Sequence, residues 1–248
     1  AFRFWLHPAL AVTSLTVDGR AAGWRRLDER ALEVELGSSC NAGDRFELRV
    51  AYRGSPVTAG LSSIVFESQG DWPVVATLSE PWFASTWWPV KEDSRDKATG
   101  ELVITVPAEL TVVANGTLVD VQAVAGGRRR FHWSTAYPTS PYLFAFAATS
   151  YSTFAADFNH DGGTMPVEFY LYPASDTEDN RERWEAVVAM LETFGELFGP
   201  YPFLAEKYAI YQFPWPGGME HQTASGQGGG HAFSEYLTAH ELAHQWWG

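Results

Sequence analysis

The chain has 248 residues, 46% hydrophobic and 19% charged, with a net charge of −13. Such a composition belongs to a folded globular chain of one large or two ordinary domains, and with no Lys/Arg-rich stretch beyond Arg128–Arg130 it excludes nucleic acid as a partner. No apolar run approaches the roughly 20 residues of a transmembrane segment, and the single cysteine, Cys40, excludes an internal disulfide and a cysteine-based metal site.

Up to about residue 153 the pattern is strand after strand. Phe2, Phe4 and Leu6 share one face, as do Leu32, Val34 and Leu36, then Phe46, Leu48, Val50 and Tyr52, then Leu102, Ile104 and Val106. Alternation of this period means one face buried and one wet, which is antiparallel sheet. Asp18-Gly19, Asn115-Gly116 and Gly126-Gly127 supply the turns. Residues 1–153 are therefore predicted to form an all-β, sandwich-like N-terminal domain.

From residue 154 onward the pattern becomes mixed. "PVEFYLYP" (166–173) predicts another strand, and "SDTE" (175–178) predicts a capping box with Ser175 as cap and Glu178 reaching back. Trp184, Val187, Val188, Leu191, Phe194, Leu197 and Phe198 then recur at helical spacing, ended by Gly199-Pro200. "KYAIYQF" (207–213) predicts a strand, "PWPGGMEHQT" a turn into an extended segment, "GQGGG" (226–230) a loop, and a last helix begins near Phe233. Residues 154–248 are read as the first part of an α/β domain.

That last helix carries H-E-x-x-H at residues 240–244. His240 and His244 lie about 40° apart around a helix axis, so both imidazoles can reach one tetrahedral zinc ion. Glu241 is then placed to take a proton from the attacking water; the bland alternative is a helix whose two histidines only cap a core. A working zinc site needs a third protein ligand. His231 and Glu235 precede the pair or sit in the helix's first turn, Glu235 about 140° around the axis from His240, so the third ligand is expected beyond Gly248 and the chain is read as a fragment. Beginning at Ala1 inside a strand, it is expected to lack its true N-terminus as well, which leaves localisation open. A metzincin is excluded because Trp247 stands where that group needs glycine.

Two further patterns are set aside. "DFNHDGGTMPVE" (157–168) matches an EF-hand loop position by position but lies between strands, which predicts a hairpin turn. Asn115-Gly116-Thr117 is a glycosylation sequon that reads as a turn. The 11 Trp fit a thick aromatic core, with a carbohydrate- or peptide-binding groove as the alternative.

"HELAHQWWG" and, upstream, "GGMEH" (217–221) together resemble the aminopeptidase N family of gluzincins. "WWPVKEDSRDKA" (87–98), "VPAELTVVANG" (106–116) and "SPYLFAFAATSY" (140–151) are similar to that family's N-terminal signatures. The resemblance implies an N-terminal β domain of saddle shape followed by a thermolysin-like catalytic domain, and a zinc-dependent aminopeptidase acting on peptides with a free N-terminus. It implies His240 and His244 as metal ligands, Glu241 as catalytic base, and Glu220 with Gly217, Gly218 and Met219 as the substrate-binding strand. Glu80, in "TLSE" (77–80), matches a carboxylate that helps bind the substrate's amino end. Leu78 and His221 depart from the family's Gln and Asn. The family's third ligand, a glutamate, and its oxyanion-stabilising tyrosine lie downstream. Two other readings stay open: a leukotriene-hydrolase-like bifunctional enzyme, and a non-catalytic protein-binding scaffold on the same fold.

Overall fold

A computed structural model describes residues 1–248. Fifteen strands precede the first α-helix: β1 (Phe2–Trp5), β2 (Leu10–Val17), β3 (Arg20–Ala21), β4 (Trp24–Arg26), β5 (Ala31–Val34), β6 (Leu48–Gly54), β7 (Ile64–Gln69), β8 (Trp72–Thr77), β9 (Ala98–Pro107), β10 (Thr111–Ala114), β11 (Thr117–Val124), β12 (Arg128–Thr139), β13 (Phe146–Thr149), β14 (Ser152–His160) and β15 (Gly163–Leu171). Helices α1 (Glu178–Glu185) and α2 (Val187–Phe198) follow, then β16 (Tyr208–Gln212), β17 (Gly217–Met219), β18 (Ala224–Gly228) and α3 (Glu235–Trp247). The predicted order, a β region leading into a mixed α/β segment, is the one the chain adopts. No helix is long and apolar enough to cross a membrane.

The chain forms two compact units that interleave along the sequence: residues 1–64, 78–96 and 140–142 in the first, and 65–77, 97–139 and 143–248 in the second. The first holds two three-stranded sheets, β1-β5-β4 and β3-β2-β6, around a core of Phe4, Leu6, Leu10, Leu15, Leu32 and Val34. The Asp18-Gly19 turn joins β2 to β3 with Val17 opposite Arg20, as its residues predict.

In the second unit, β11-β12-β9 packs Leu102, Ile104, Phe131 and Trp133 against Val112, Ala114 and Ala148. Beside it lies a five-stranded sheet in the order β14-β15-β16-β18-β17. Strand β15 runs antiparallel to β14 through the 161–162 turn, so the EF-hand-like pattern is a hairpin. Strands β15, β16 and β18 are mutually parallel, and β17 closes the edge antiparallel to β18. Helix residues Trp184, Val187, Leu191 and Leu242 cover Val167, Phe169, Leu171, Tyr208 and Ile210 on one face of this sheet.

Four sequence expectations change here. Thr177, not Ser175, caps α1: its backbone is extended and its hydroxyl accepts from Asn180 N at 3.3 Å, whereas Ser175 closes a 3-10 turn and offers its carbonyl to Asn180 Nδ2. The single long helix is two, joined at Ala186, where ψ of −18° is a 3-10 value. Its stripe also ends early, since Leu197 and Phe198 are exposed.

The "GQGGG" segment is not wholly loop, because its first three residues belong to the buried strand β18, which lies between β16 and β17. Glycine is there for closeness of packing. A Cβ on Gly226 would strike the Phe213 ring, and one on Gly228 would strike the carbonyls of Trp215 and Phe213.

Candidate functional site

Helix α3 starts from Ser234, whose hydroxyl accepts from Leu237 N at 3.4 Å, and its approach is pinned by Trp184, whose indole N–H donates to Ala232 O at 2.7 Å. Thr238, Glu241, Leu242 and Gln245 form its buried stripe. The far end is held by Trp246, whose indole N–H donates to Gly199 O at 2.9 Å. This leaves His240 exposed and His244 half-buried on the outer side.

Their two Nε2 atoms stand 3.3 Å apart. Two nitrogens bound to one zinc ion at ~2.0–2.1 Å and a tetrahedral angle would stand about 3.3–3.4 Å apart, so the pair already has the separation that zinc requires. His244 Nδ1 lies 3.3 Å from Gly248 O. A carbonyl only accepts, so this contact is a hydrogen bond in the tautomer with its proton on Nδ1, the one that leaves the Nε2 lone pair open. No group of three His, Cys, Asp or Glu side chains in the chain could hold a metal ion; what the helix brings together is the pair His240 and His244.

Glu241 is 4% exposed and lies beneath β17. Gly218 packs so closely on it that a Cβ there would overlap the Glu241 carboxylate. The "GGMEH" strand and the "HELAH" helix are thus in contact through the absence of a side chain. Met219 is buried, Gly217 and Gly218 are half-buried at the sheet edge, and Glu220 is half-exposed where β17 ends. Glu80 belongs to the first unit, in the segment following β8.

His221 turns inward and is 0% exposed, with Nδ1 2.8 Å from the Tyr211 hydroxyl. Burial pushes its pKa down to about 3, so a neutral imidazole follows Glu220 at ordinary pH and adds no positive charge beside it.

Sequence reasoning missed Gln245 and Thr223. The Gln245 amide accepts from Thr223 N at 2.8 Å and donates towards Glu220 O and His221 O at 3.3 and 3.4 Å. Thr223 has φ of 64°, an outlier for a β-branched residue. A glutamine on the buried stripe of an amphipathic helix is the one signal that could have marked the former; the latter depends on contacts distant in sequence. Lys207 was missed too. It is fully buried, donates to Ala114 O and Gly116 O at 2.8 and 2.6 Å, lies over the Trp133 ring, and is pushed down to about 8 by desolvation.

The profile of the peptidase M1 N-terminal domain matches residues 15–143. No curated protein matches significantly. Among solved structures, the M1 zinc metallopeptidase from Deinococcus radiodurans superposes with a TM-score of 0.82 at 23% identity, covering 100% of this chain and 56% of that one. A mutant M1 zinc metallopeptidase from the same organism, bound to a Tyr-Ser-Ala substrate, gives 0.84 at 22% with the same coverage. Legionella pneumophila aminopeptidase A in complex with aspartic acid gives 0.82 at 16%, covering 100% of this chain and 30% of that one. The chain thus spans just over half the length of the Deinococcus proteins, and at these identities the likeness is one of fold. With the profile covering more than half of the sequence, the chain belongs to the peptidase M1 family.

Proposed function

We propose that these 248 residues are part of a zinc-dependent aminopeptidase that releases N-terminal residues from peptides. In this reading residues 1–153 form its N-terminal β domain and 154–248 the first part of its thermolysin-like catalytic domain. The observation that carries it is the spacing of His240 and His244 at zinc-ligand distance, on the helix whose Glu241 packs under the "GGMEH" strand.

Zinc held by His240, His244 and a third ligand outside these residues would supply Lewis-acid polarisation of the scissile carbonyl. Glu241 takes the proton of the attacking water and returns it to the leaving amine. The unpaired outer side of β17 offers backbone groups to an extended peptide, and Gly217 and Gly218 leave that edge unobstructed. Glu220 accepts from the substrate's α-ammonium, a charge-assisted bond worth about 1.5–3 kcal/mol. An acylated amine would leave this carboxylate without its cation, which gives selectivity for the free N-terminus. Glu80 is proposed as a substrate-binding carboxylate on the resemblance alone, and Glu80→Gln tests it separately.

Two experiments test this reading. Zinc titration against a chelating dye is expected to show weak binding by the chain, lost in both His240→Ala and His244→Ala. Binding that survives both substitutions would overturn the ligand assignment. On alanine p-nitroanilide the chain is expected to be nearly inactive, and turnover near that of ordinary aminopeptidases would show that no third ligand is needed.

A further inference from the structure

We propose that Gln245 is a positioning residue for substrate-amine recognition: it ties the helix of the histidine pair to the 220–223 turn and so sets where Glu220 stands. The proposal rests on Glu220 being the amine-binding carboxylate.

Gln245 follows His244 directly, so any shift of the metal-binding face moves it equally. It is 5% exposed and points away from the histidines toward the sheet. Its amide satisfies both signs of backbone group on the turn. The oxygen accepts from Thr223 N at 2.8 Å, and the nitrogen is shared between Glu220 O and His221 O. A left-handed backbone at a threonine persists only where its surroundings over-determine it, and here they do. Besides the bond to Gln245, Thr223 Oγ1 accepts from Gly116 N at 2.8 Å and Thr223 O accepts from Ala209 N at 2.9 Å. His221 is drawn inward by Tyr211, and Gln222 Nε2 donates to Thr139 Oγ1 at 2.7 Å. Three successive residues of the turn are therefore held inward, and Glu220 is the one left facing outward. Gln245 alone among these anchors lies on the helix that carries His240 and His244.

The test is a nitrogen-15 NMR titration of the metal-free chain with Ala-Ala amide and with its N-acetyl form. The wild type is expected to prefer the free amine by about tenfold or more, the ratio one charge-assisted hydrogen bond supplies. Gln245→Met, similar in shape but unable to bond either group, is expected to bring that preference to near unity and to expose the Thr223 amide to hydrogen exchange, with zinc affinity unchanged. Gln245→Glu keeps the acceptor for Thr223 N–H and loses the donor, so it is expected to keep amide protection and part of the preference. A folded Gln245→Met chain with the full wild-type preference overturns the proposal. Should that variant fail to fold, an unchanged preference in Gln245→Glu does the same. Glu220→Gln tests the underlying assignment separately: a preference that survives it removes Glu220 as the amine ligand, and the inference about Gln245 falls with it.

Discussion

Gly218 has no side chain, and the space a Cβ would take is filled by the Glu241 carboxylate. Gly218→Ala is expected to cost about 1–3 kcal/mol as an overpacking change. Urea denaturation of a double-mutant cycle with Glu241→Ala checks the cause, since the double variant should recover most of the loss. His221 makes a prediction about pH. Its folded pKa of about 3 lies below the ordinary histidine value, so between those two values the unfolded chain binds a proton that the folded chain refuses. Stability due to this residue is complete above about pH 6.5 and falls on acidification, by about 2 kcal/mol between pH 7 and pH 5. Denaturation at pH 7, 6 and 5 should show His221→Asn lacking this component of the acid limb. At this scale the sequence marked His240, Glu241 and His244 as candidates by residue type and spacing, and Glu220 by resemblance. It was silent where the role follows from a partner far along the chain. Gln245 meets Thr223 only because α3 crosses β18, and the inward turn of His221 depends on Tyr211 of another strand.

Among elements, β18 is the one whose identity composition concealed. Ala224–Gly228 has no alternation and no branched side chain, and its last three residues, within "GQGGG" (226–230), read as loop. Its pairing to β16 and its burial come from neighbours that need a thin strand between them. Gly228→Ala is expected to cost about 3 kcal/mol, the upper end for overpacking, because the obstructing atoms are backbone carbonyls. Gly230→Ala, with open space around it, should stay within about 0.5 kcal/mol; equilibrium denaturation of the two variants distinguishes packing from propensity. The start of α1 gives a second comparison. Thr177→Ala should destabilise by about 1 kcal/mol through loss of the cap, and Ser175→Ala should be nearly neutral, measured the same way. The strands of the β region were legible because each exposes one face to water and so alternates. The break at Ala186 was not, because both helices continue one apolar stripe.

For the molecule as a whole, chain order and spatial grouping differ: residues 65–77 and 97–139 fold with 143–248 in the second unit. The fasteners inside that unit converge on the turn after β10. Lys207 donates to Ala114 O and Gly116 O, and Gly116 N donates to Thr223 Oγ1. Lys207→Met would leave two buried carbonyls unpaired, with an expected loss of about 2–4 kcal/mol in chemical denaturation. Asn115 in the same turn is 2% exposed, and its Nδ2 donates to Leu143 O and Gln222 O at 2.9 and 2.7 Å. That nitrogen is also the atom an oligosaccharide would occupy, because residues 115–117 are a sequon. Produced in a host that glycosylates nascent chains, this protein would face a race. Each molecule either closes the turn before the transferase reaches it or receives a sugar that keeps the second unit from closing. Yield would then be set by timing rather than by stability, and mass spectrometry should find glycan on Asn115 only in the misfolded fraction.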